Sequence, residues 1–434
     1  MAMGWETGAE GDLMLSWSEL PRSPGHAFYY WLQGLLEAGF GATSGKPGFS
    51  GCSGTPKSKK TRSRPEELTM ANNRSTPDCL NPTVTVLIPI YNGEKYIERT
   101  LQSALKQTFD AFEVICVDDC STDNSLSITK LYSGLDMRVR VFSTSVNLGH
   151  VSKVIEFALP FMKGDYWIYS SQDDLFSEDW LEKLVRRAIT TGADAVIPDV
   201  VFYTEKEDTN QRLIGLRGNR EAQLSNREAV TLSLDWTIPG NALWNINIIK
   251  KVGVKTFGAF ADEYSVRMWF LACNKVVFCD GVFYYRQDNP DAITKKISYK
   301  TFDRAMNHFM LYKLLKENNF PSKTYRSELH TSVNWIYFSK IYLRSTECLF
   351  SSQDSKQAEL RVAQCLGALQ KETFLHESVG SWKFFSKLLI IKLGKRVFSF
   401  VFMTSIYLRP WGRVLKHPLI FFRNIFATAG ANCD

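Results

Sequence analysis

The stretch Val84–Asp123 constrains the fold of this chain more than any other. Two short apolar runs rich in β-branched residues, Val84–Ile90 and Phe112–Val117, each stop at a turn, which is typical of buried parallel strands. Between them, apolar side chains recur at helical spacing. This pattern predicts a β-α-β unit whose strands are parallel, so that both carboxyl ends lie at one edge of the sheet. Ligands of open α/β sheets bind beyond that edge.

Strands and helices alternate as far as residue 203, which predicts an α/β fold with a mostly parallel sheet and helices on both faces. After residue 234 the pattern loosens, with two further predicted strands at 275–279 and 282–285. From Phe302 onward the apolar spacing is helical. We predict four regions along the chain: a poorly ordered extension over 1–81, the α/β domain over 82–297, a helical region over 298–380 and a basic amphipathic tail over 381–434.

The composition narrows the class of protein. The 434 residues, 44% of them hydrophobic, suffice for a sizeable core. Nine cysteines without a C-x-x-C pair argue against a disulfide framework or a zinc module and favour a reducing, cytoplasmic compartment. The basic run Lys57–Arg64 is expected to be a solvated linker, and no nucleic-acid partner is predicted.

The net charge of +7 is concentrated in the tail. Beyond Ser381 the only acidic residue is Asp434, while basic residues alternate with aromatic and aliphatic ones. No run there reaches the ~20 apolar residues that a spanning helix needs. The tail is therefore predicted to lie on an anionic membrane surface, as in a peripheral protein on the inner face. The alternative is a helix that packs on the rest of the chain with its lysines solvated.

Acidic or amide side chains gather in four clusters that are predicted to lie at strand ends on one edge of the sheet, the last of which also opens a predicted helix. The clusters are Asn92, Asp118 with Asp119, Asp173 with Asp174, and Asp262 with Glu263. Crowded carboxylates repel one another unless a cation lies between them, and hard oxygen ligands suit Mg²⁺ or Mn²⁺. Neither G-x-x-x-x-G-K-[ST] nor a G-x-G-x-x-G after the first strand is present. The residues thus predict a metal-dependent nucleotide enzyme without a glycine-rich phosphate loop.

The order and spacing of these motifs resemble family 2 glycosyltransferases of the GT-A fold, over about Val84–Lys296. The matching segments are Val86–Asn92, Glu113–Asp123, Asn147–Gly149, Gln172–Asp174, Asp262–Tyr264 and Tyr284–Asn289. The resemblance implies inverting transfer of a hexosyl or N-acetylhexosaminyl group from a nucleotide sugar, expected to be a UDP-sugar. The expected acceptor is a glycan or lipid-linked glycan in bacterial surface polysaccharide or lipopolysaccharide synthesis.

The resemblance also assigns site residues by position. Nucleotide-sugar binding falls to Pro89, Tyr91, Asn92, Asp118, Asp119, Asn147, Asp173 and Arg286. The Mn²⁺ or Mg²⁺ ligands would be Asp174, Asp173 and Asp288, with Asp174 as the direct ligand. The general base would be Glu263 or Asp262. Acceptor contacts fall to Trp236, Gly240 and Asn241.

Three departures from the family pattern keep alternatives open. Asp288 or Asn289 occupies the place where a histidine often follows the Tyr-Arg segment of the family. Ser171 stands where the family more often has an aspartate, and the acidic pair reads Asp-Glu instead of Glu-Asp, so the base remains either residue. One alternative is a catalytically silent module that binds nucleotide sugars. Another is a sugar nucleotidyltransferase, which would carry a Gly-rich basic loop where this chain has Asn92–Lys95.

Overall fold

The computed structural model describes residues 83–205, 208–292, 298–345 and 350–371. The predicted extension over 1–81 and the predicted tail over 381–434 lie outside these residues. Within the described ranges, no helix combines the length and the apolar character needed to cross a membrane.

Strands and helices are numbered here in chain order. The strands are β1 Val84–Ile90, β2 Phe112–Asp118, β3 Val139–Ser143, β4 Tyr166–Tyr169, β5 Leu175–Phe176, β6 Ala195–Tyr203, β7 Asp208–Leu213, β8 Gln223–Leu224, β9 Leu243–Asn245 and β10 Val276–Arg286. The α-helices are α1 Ile97–Leu105, α2 Ser125–Leu135, α3 Val151–Ala158, α4 Trp180–Thr191, α5 Asn226–Leu234, α6 Ile246–Val252, α7 Ala261–Ala272, α8 Asp303–Glu317, α9 Ser322–Ser345 and α10 Ser352–Lys371. Short 3₁₀ turns cover Leu159–Phe161 and Tyr299–Phe302.

The strands form one mixed sheet in the order β3-β2-β1-β4-β9-β6-β10-β5, with β7 on β6 and β8 on β10. The half β3-β2-β1-β4 is parallel, as the β-α-β pattern predicts. Strand β9 pairs antiparallel with β4 and β6, whereas β6 and β10 are parallel to each other. The carboxyl ends of β1, β2 and β4 therefore share one edge, where the polar clusters follow.

The predicted strands over 275–279 and 282–285 are a single strand, β10. Its register against β6 shifts between Phe278 and Val282, so the interruption that the sequence shows is an irregularity within one strand. Such an extra residue bends a strand and redirects the side chains that follow it. Beyond this irregularity, β10 carries Tyr285 and Arg286 to the site.

Large buried side chains fill both faces of the sheet. Trp167, Trp244 and Trp269 pack with α3, α5, α6 and α7 on one face, while Phe176, Trp180 and Phe283 pack with α1 and α4 on the other. These aromatic contacts are offset or edge-on, which rings prefer over a face-to-face sandwich. The helices on both faces leave the strand ends, with their loops, as the place for a ligand.

The helical region is attached directly to the sheet domain. Helices α8, α9 and α10 enclose their own apolar cluster, while Leu311 and Leu314 of α8 pack on Tyr264 of α7. Asp303, the first residue of α8, accepts a hydrogen bond from Ala259 N (2.8 Å). These contacts fix α8 beside the start of α7, where the acidic pair lies.

Candidate active site

The turns after β1 and β2 are joined by hydrogen bonds into one unit. Asn92 has a φ of 48°. Its Oδ1 accepts from Thr122 N (2.8 Å), and its own N donates to Ser121 Oγ (3.0 Å). Glu94 Oε2 accepts from Asn124 N (2.9 Å). Asn92 thus holds two loops together, a role that its αL-tolerant amide side chain suits.

The predicted nucleotide residues lie around these turns. Asp119 Oδ1 accepts from Leu148 N (2.8 Å), and Asn147 Nδ2 donates to the Asp119 carbonyl (3.0 Å). Asp118 is buried, and its Oδ1 bonds to none of the described residues. Pro89 lies within β1, opposite Val117. Asn147 therefore positions Asp119, and the Asp118 carboxylate retains an unused acceptor atom.

Lys300, which no sequence motif indicates, reaches the same turn from the helical region. Its Nζ donates to the Gly149 carbonyl (2.7 Å). Burial lowers the pKa of Lys300, although the nearby carboxylates of Asp119 and Asp303 act in the opposite direction. A cation therefore lies close to the predicted nucleotide pocket.

Gln172, also missed, fixes the backbone of Tyr91. Its Oε1 accepts from Tyr91 N (2.8 Å) and its Nε2 donates to the Tyr91 carbonyl (3.1 Å). A Cβ at Gly93 would stand 2.3 Å from Gln172 Oε1, so any larger residue there would displace the Gln172 amide group. The Tyr91 side chain is 48% exposed and remains available to a ligand. Nothing in the residue type of Gln172 indicates this role.

The two acidic residues after β4, Asp173 and Asp174, have different hydrogen-bond partners. Asp174 is 2% exposed, and its two carboxylate oxygens accept from Ser171 N (3.2 Å) and Arg286 N (3.1 Å). Burial, followed by the charge of Asp173, raises the pKa of Asp174. Asp173 accepts from Asn289 Nδ2 (2.6 Å) through Oδ2. The geometry favours Asp173, instead of the expected Asp174, as the carboxylate with an oxygen left for a metal.

The structure does not support Asp288 as a metal ligand. Its Oδ1 accepts from Arg286 Nη1 (3.0 Å) and its Oδ2 from Glu205 N (2.9 Å). Arg286, 6% exposed, also donates to Glu205 Oε1 (3.1 Å) and the Asp173 carbonyl (3.1 Å). Because its donors are engaged in this way, Arg286 braces the loops around Asp173, whereas the sequence suggested that it binds diphosphate.

The second acidic pair opens α7. Asp262 and Glu263 lie in its first turn, where the helix dipole favours carboxylates. Burial, followed by the charge of Glu263, raises the pKa of Asp262 to about 7. Asn307 Nδ2 of α8 donates to Glu263 Oε2 over 3.5 Å. Asp262 and Glu263 therefore differ in their surroundings although they are adjacent.

Tyr285 of β10 is influenced by both acidic pairs. Burial raises the pKa of its hydroxyl, and the carboxylates of Asp174, Asp173, Asp262 and Glu263 raise it further. All four acids therefore lie within electrostatic range of one phenol. We call these four carboxylates around Tyr285 the acidic centre.

The predicted acceptor loop packs on α7. Gly240 faces Val266, since a Cβ at Gly240 would stand 2.8 Å from Val266 Cγ1. Trp236 is partly buried with a φ of 61°, and Asn241 is partly buried as well. The structure thus brings this loop against the helix that carries Asp262 and Glu263.

Residues 85–253 match the family model described as Glycosyl transferase family 2. This part of the chain is a family 2 glycosyltransferase domain. The chain is 29% identical to the glycosyltransferase GlyG of Streptococcus pneumoniae over an alignment of 217 residues, which covers 48% of this chain and 72% of GlyG. It is 36% identical over 100 residues to poly(ribitol-phosphate) β-N-acetylglucosaminyltransferase TarS of Staphylococcus aureus, which are 23% of this chain and 17% of TarS. Alignments with four further glycosyltransferases span 18–40% of their lengths.

The fold of the glycosyltransferase domain is GT-A. The crystal structure of residues 1–349 of S. aureus TarS in complex with UDP-GlcNAc superposes with a TM-score of 0.50 at 17% identity. The match covers 66% of this chain and 81% of that one. The mixed sheet with flanking helices and a helical C-terminal region confirms the predicted fold class.

The residues of the glycosyltransferase domain fit a metal that binds together with its substrate. Among the described residues, no three His, Cys, Asp or Glu side chains converge as a metal site. Asp173 and Asp174 are nevertheless crowded in a buried place, so a cation would relieve their repulsion. Mg²⁺ commonly takes one or two carboxylates and completes its shell with substrate phosphates and water. The donor set is therefore compatible with an ion that enters with a diphosphate.

Proposed function

We propose that this chain is an inverting glycosyltransferase that transfers a sugar from a UDP-sugar to a hydroxyl group of a glycan or lipid-linked glycan. The acidic centre carries this proposal. One acidic pair follows the strand next to the nucleotide turns, where a diphosphate would lie, and the other opens the helix beside the predicted acceptor loop. The 36% identity with a segment of TarS supports N-acetylhexosamine as the transferred sugar and a bacterial surface glycan as the product.

The donor would be held at the edge formed by β1, β2 and β4. The exposed ring of Tyr91 offers a stacking surface to the base, because its backbone is fixed by Gln172. Asp119, oriented by Asn147 and Leu148, would accept from the base or the ribose. Asp173 would hold Mn²⁺ or Mg²⁺ against the diphosphate, where the ion stabilises the charge of the leaving group.

Asp262 would act as the general base. In this step Asp262 takes the proton of the acceptor hydroxyl, the hydroxyl oxygen bonds to the anomeric carbon, and the bond from that carbon to the diphosphate oxygen breaks on the opposite face. A base with a pKa near the working pH is effective, and the pKa of Asp262 is raised to about 7. Glu263 is the less suitable base because Asn307 already contacts its carboxylate.

The test combines donor binding with donor turnover. The full chain, with Mn²⁺ and a panel of UDP-, GDP- and dTDP-sugars, is assayed for released nucleotide and for nucleotide affinity. We expect Asp262→Asn to bind UDP normally and to lose turnover by about 10²–10⁴-fold. Asp173→Asn is expected to lose metal-dependent UDP binding, whereas Asp288→Asn is the matched control that keeps it.

Two outcomes would contradict the proposal. If no nucleotide binds, the donor pocket is wrong. If UDP binds but Asp262→Asn turns over as fast as the wild type, Asp262 is not the base. The silent-module alternative, which Ser171 in place of an acid favours, predicts binding without turnover in every variant.

We also propose that the basic tail over 381–434 holds the protein on the cytoplasmic face of an anionic membrane. The support is the sequence alone, in which basic and apolar residues alternate and the only acid is Asp434. Cosedimentation of the full chain with phosphatidylglycerol vesicles is expected, with phosphatidylcholine vesicles as control. Replacing Lys392 and Lys395 by Glu should weaken it; equal binding to both vesicle types would contradict the proposal.

A further inference from the structure

Arg304, in the first turn of α8, carries a buried guanidinium group with unusual surroundings. The side chain is 6% exposed. Its guanidinium carbon lies 4.0 Å from the ring centroid of Phe260 and 5.7 Å from that of Trp335. Among the described residues it has no hydrogen-bond acceptor and no ion-pair partner. Two aromatic rings flank the group, and none of its five N–H donors has an acceptor among the residues that the structure describes.

A largely buried charge that gains no hydrogen bond for the hydration it loses is unfavourable. The nitrogens of Arg304 are not among the atoms that are fully buried and unpaired in the described part of the chain, so the group keeps some access to solvent. The stacked rings offset part of this loss through cation–π attraction. They do not satisfy the N–H donors of Arg304, whose directions lie in the plane of the group. Burial lowers the pKa of Arg304, while the carboxylates of Glu263 and Asp262 oppose this shift. The guanidinium group is therefore charged, preoriented and free to bind an oxyanion.

The position of Arg304 identifies which substrate this oxyanion belongs to. Phe260, beneath the guanidinium group, immediately precedes α7 and stands two residues before Asp262. One turn along α8 from Arg304, Asn307 contacts Glu263 through Nδ2, and its buried Oδ1 has no partner in the described part of the chain. Arg304 thus lies at the end of the acidic centre where the acceptor hydroxyl is deprotonated. Asp173, on the diphosphate side, is not among the charges that act on it.

We propose that Arg304 binds an oxyanion, a phosphate or a carboxylate, that the acceptor carries close to the hydroxyl group to be glycosylated. This inference rests on the proposed function and specifies its acceptor class as an anionic glycan or polyol phosphate. The planar fork of arginine matches two oxygens of a phosphate or a carboxylate at once. A neutral acceptor would leave the buried fork unpaired, so the site discriminates against it.

The test measures acceptor-fragment binding to the full chain saturated with UDP and Mn²⁺. Ribitol 5-phosphate is compared with ribitol, and glucuronate with glucose, by calorimetry. We expect at least one anion to bind about 10-fold or more tightly than its neutral counterpart. Arg304→Met should abolish that preference, and Arg304→Lys, which keeps the charge without the fork, should retain only part of it. The anion whose preference is lost tells phosphate from carboxylate.

Arg227→Lys is the matched control. Its guanidinium group also stacks on a ring, 4.1 Å from the centroid of Phe320, but its donors are satisfied by the carbonyls of Asn318 and Asn319. The preference for anions should survive this change. Thermal unfolding of each variant shows whether it is folded, and the lysine variant keeps the test decisive if the methionine variant unfolds.

Three results would overturn the proposal. The wild type could bind each anion and its neutral counterpart equally. Arg304→Met could weaken UDP itself, which would make the donor diphosphate the occupant. It could also weaken ribitol and ribitol 5-phosphate by the same factor, which would leave Arg304 a purely structural role. Failure of the wild type to bind UDP contradicts the proposed function instead, so the two failures are distinguishable.

Discussion

Replacing Gly240 by Ala tests whether the packing of the acceptor loop on α7 positions the base. The new Cβ would stand 2.8 Å from Val266 Cγ1 and 3.0 Å from Cγ2. Carbon atoms in contact prefer about 3.5–4.0 Å, so roughly 0.7 Å must open between loop and helix. Val266 is buried and β-branched, and such a side chain in a helix has essentially one rotamer. The loop or α7 must therefore move.

The clash should lower both the free energy of unfolding and kcat, and a magnitude can be given for each. Overpacking of this kind costs about 1–3 kcal/mol in the free energy of unfolding. Asp262 lies one helical turn before Val266 on α7, so a shift of the helix carries the base with it. Because a 1 Å misplacement can cost about 10²-fold in rate, a shift of several tenths of an ångström should lower kcat by about 10-fold. The affinity for UDP should not change, since the turns after β1 and β2 are untouched.

The assay is a double-mutant cycle with Val266→Ala, which removes both atoms that clash. Urea unfolding and kcat are measured for the wild type, both single variants and the double variant. We expect the double variant to be more stable than the sum of the single effects by about 1–2 kcal/mol, with part of kcat restored. Gly134→Ala is the control, because a Cβ at Gly134 of α2 meets nothing within 4 Å. Additive stabilities, or a lower UDP affinity with unchanged kcat, would refute the reasoning.

Three further predictions concern single groups. Asp262 must be ionised to accept a proton, and its pKa is raised to about 7. We therefore expect kcat to rise with pH between 6 and 8 and to fall about 10-fold per pH unit below that range. A flat pH–rate profile would contradict this. Gln172→Leu removes two hydrogen bonds to the Tyr91 backbone and should weaken UDP binding about 5- to 10-fold by calorimetry, whereas unchanged affinity would show that Tyr91 does not depend on them. In a Mn²⁺ titration of turnover, Asp288→Asn should keep the wild-type midpoint, because both carboxylate oxygens of Asp288 already accept hydrogen bonds from the protein. Asp173→Asn should shift the midpoint. A shifted midpoint in Asp288→Asn would mean that Asp288 is a metal ligand after all.

The elements that could be predicted from the sequence are those whose signal is local. Strands β1 and β2 are long apolar runs, and their predicted limits differ from the observed ones by at most a residue. Strand β9, Leu243–Asn245, spans three residues and is too short to show a period. Its antiparallel pairing between β4 and β6 makes the sheet mixed, and no local pattern in Leu243–Asn245 encodes those distant partners.

The site residues follow the same division. The acidic types and their spacing select loops that follow neighbouring strands in the structure, because a carboxylate at a strand end is visible in the sequence. The hydrogen-bond partner that determines the role of a charged side chain cannot be read from the sequence. Arg286 donates hydrogen bonds to Glu205, 81 residues earlier in the chain, and to Asp288. The sequence predicts that Arg286 binds the diphosphate and that Asp288 binds the metal, but in the structure these two side chains bind each other. Arg304 was not selected at all, since a single cation in a helical pattern is usually solvated.

Asp262 and Glu263 differ in their surroundings, and this difference supports the proposed choice between them as the base. Adjacent residues of a helix point roughly 100° apart, so both carboxylates cannot face the same partner. Burial, followed by the charge of Asp262 and, more weakly, that of Glu263, raises the pKa of Tyr169, which lies at the end of β4 beside the donor edge. Glu263 instead receives a hydrogen bond from Asn307 of α8. On this basis we propose Asp262 as the acid that faces the reaction, while Glu263 contacts the helical region through Asn307 of α8.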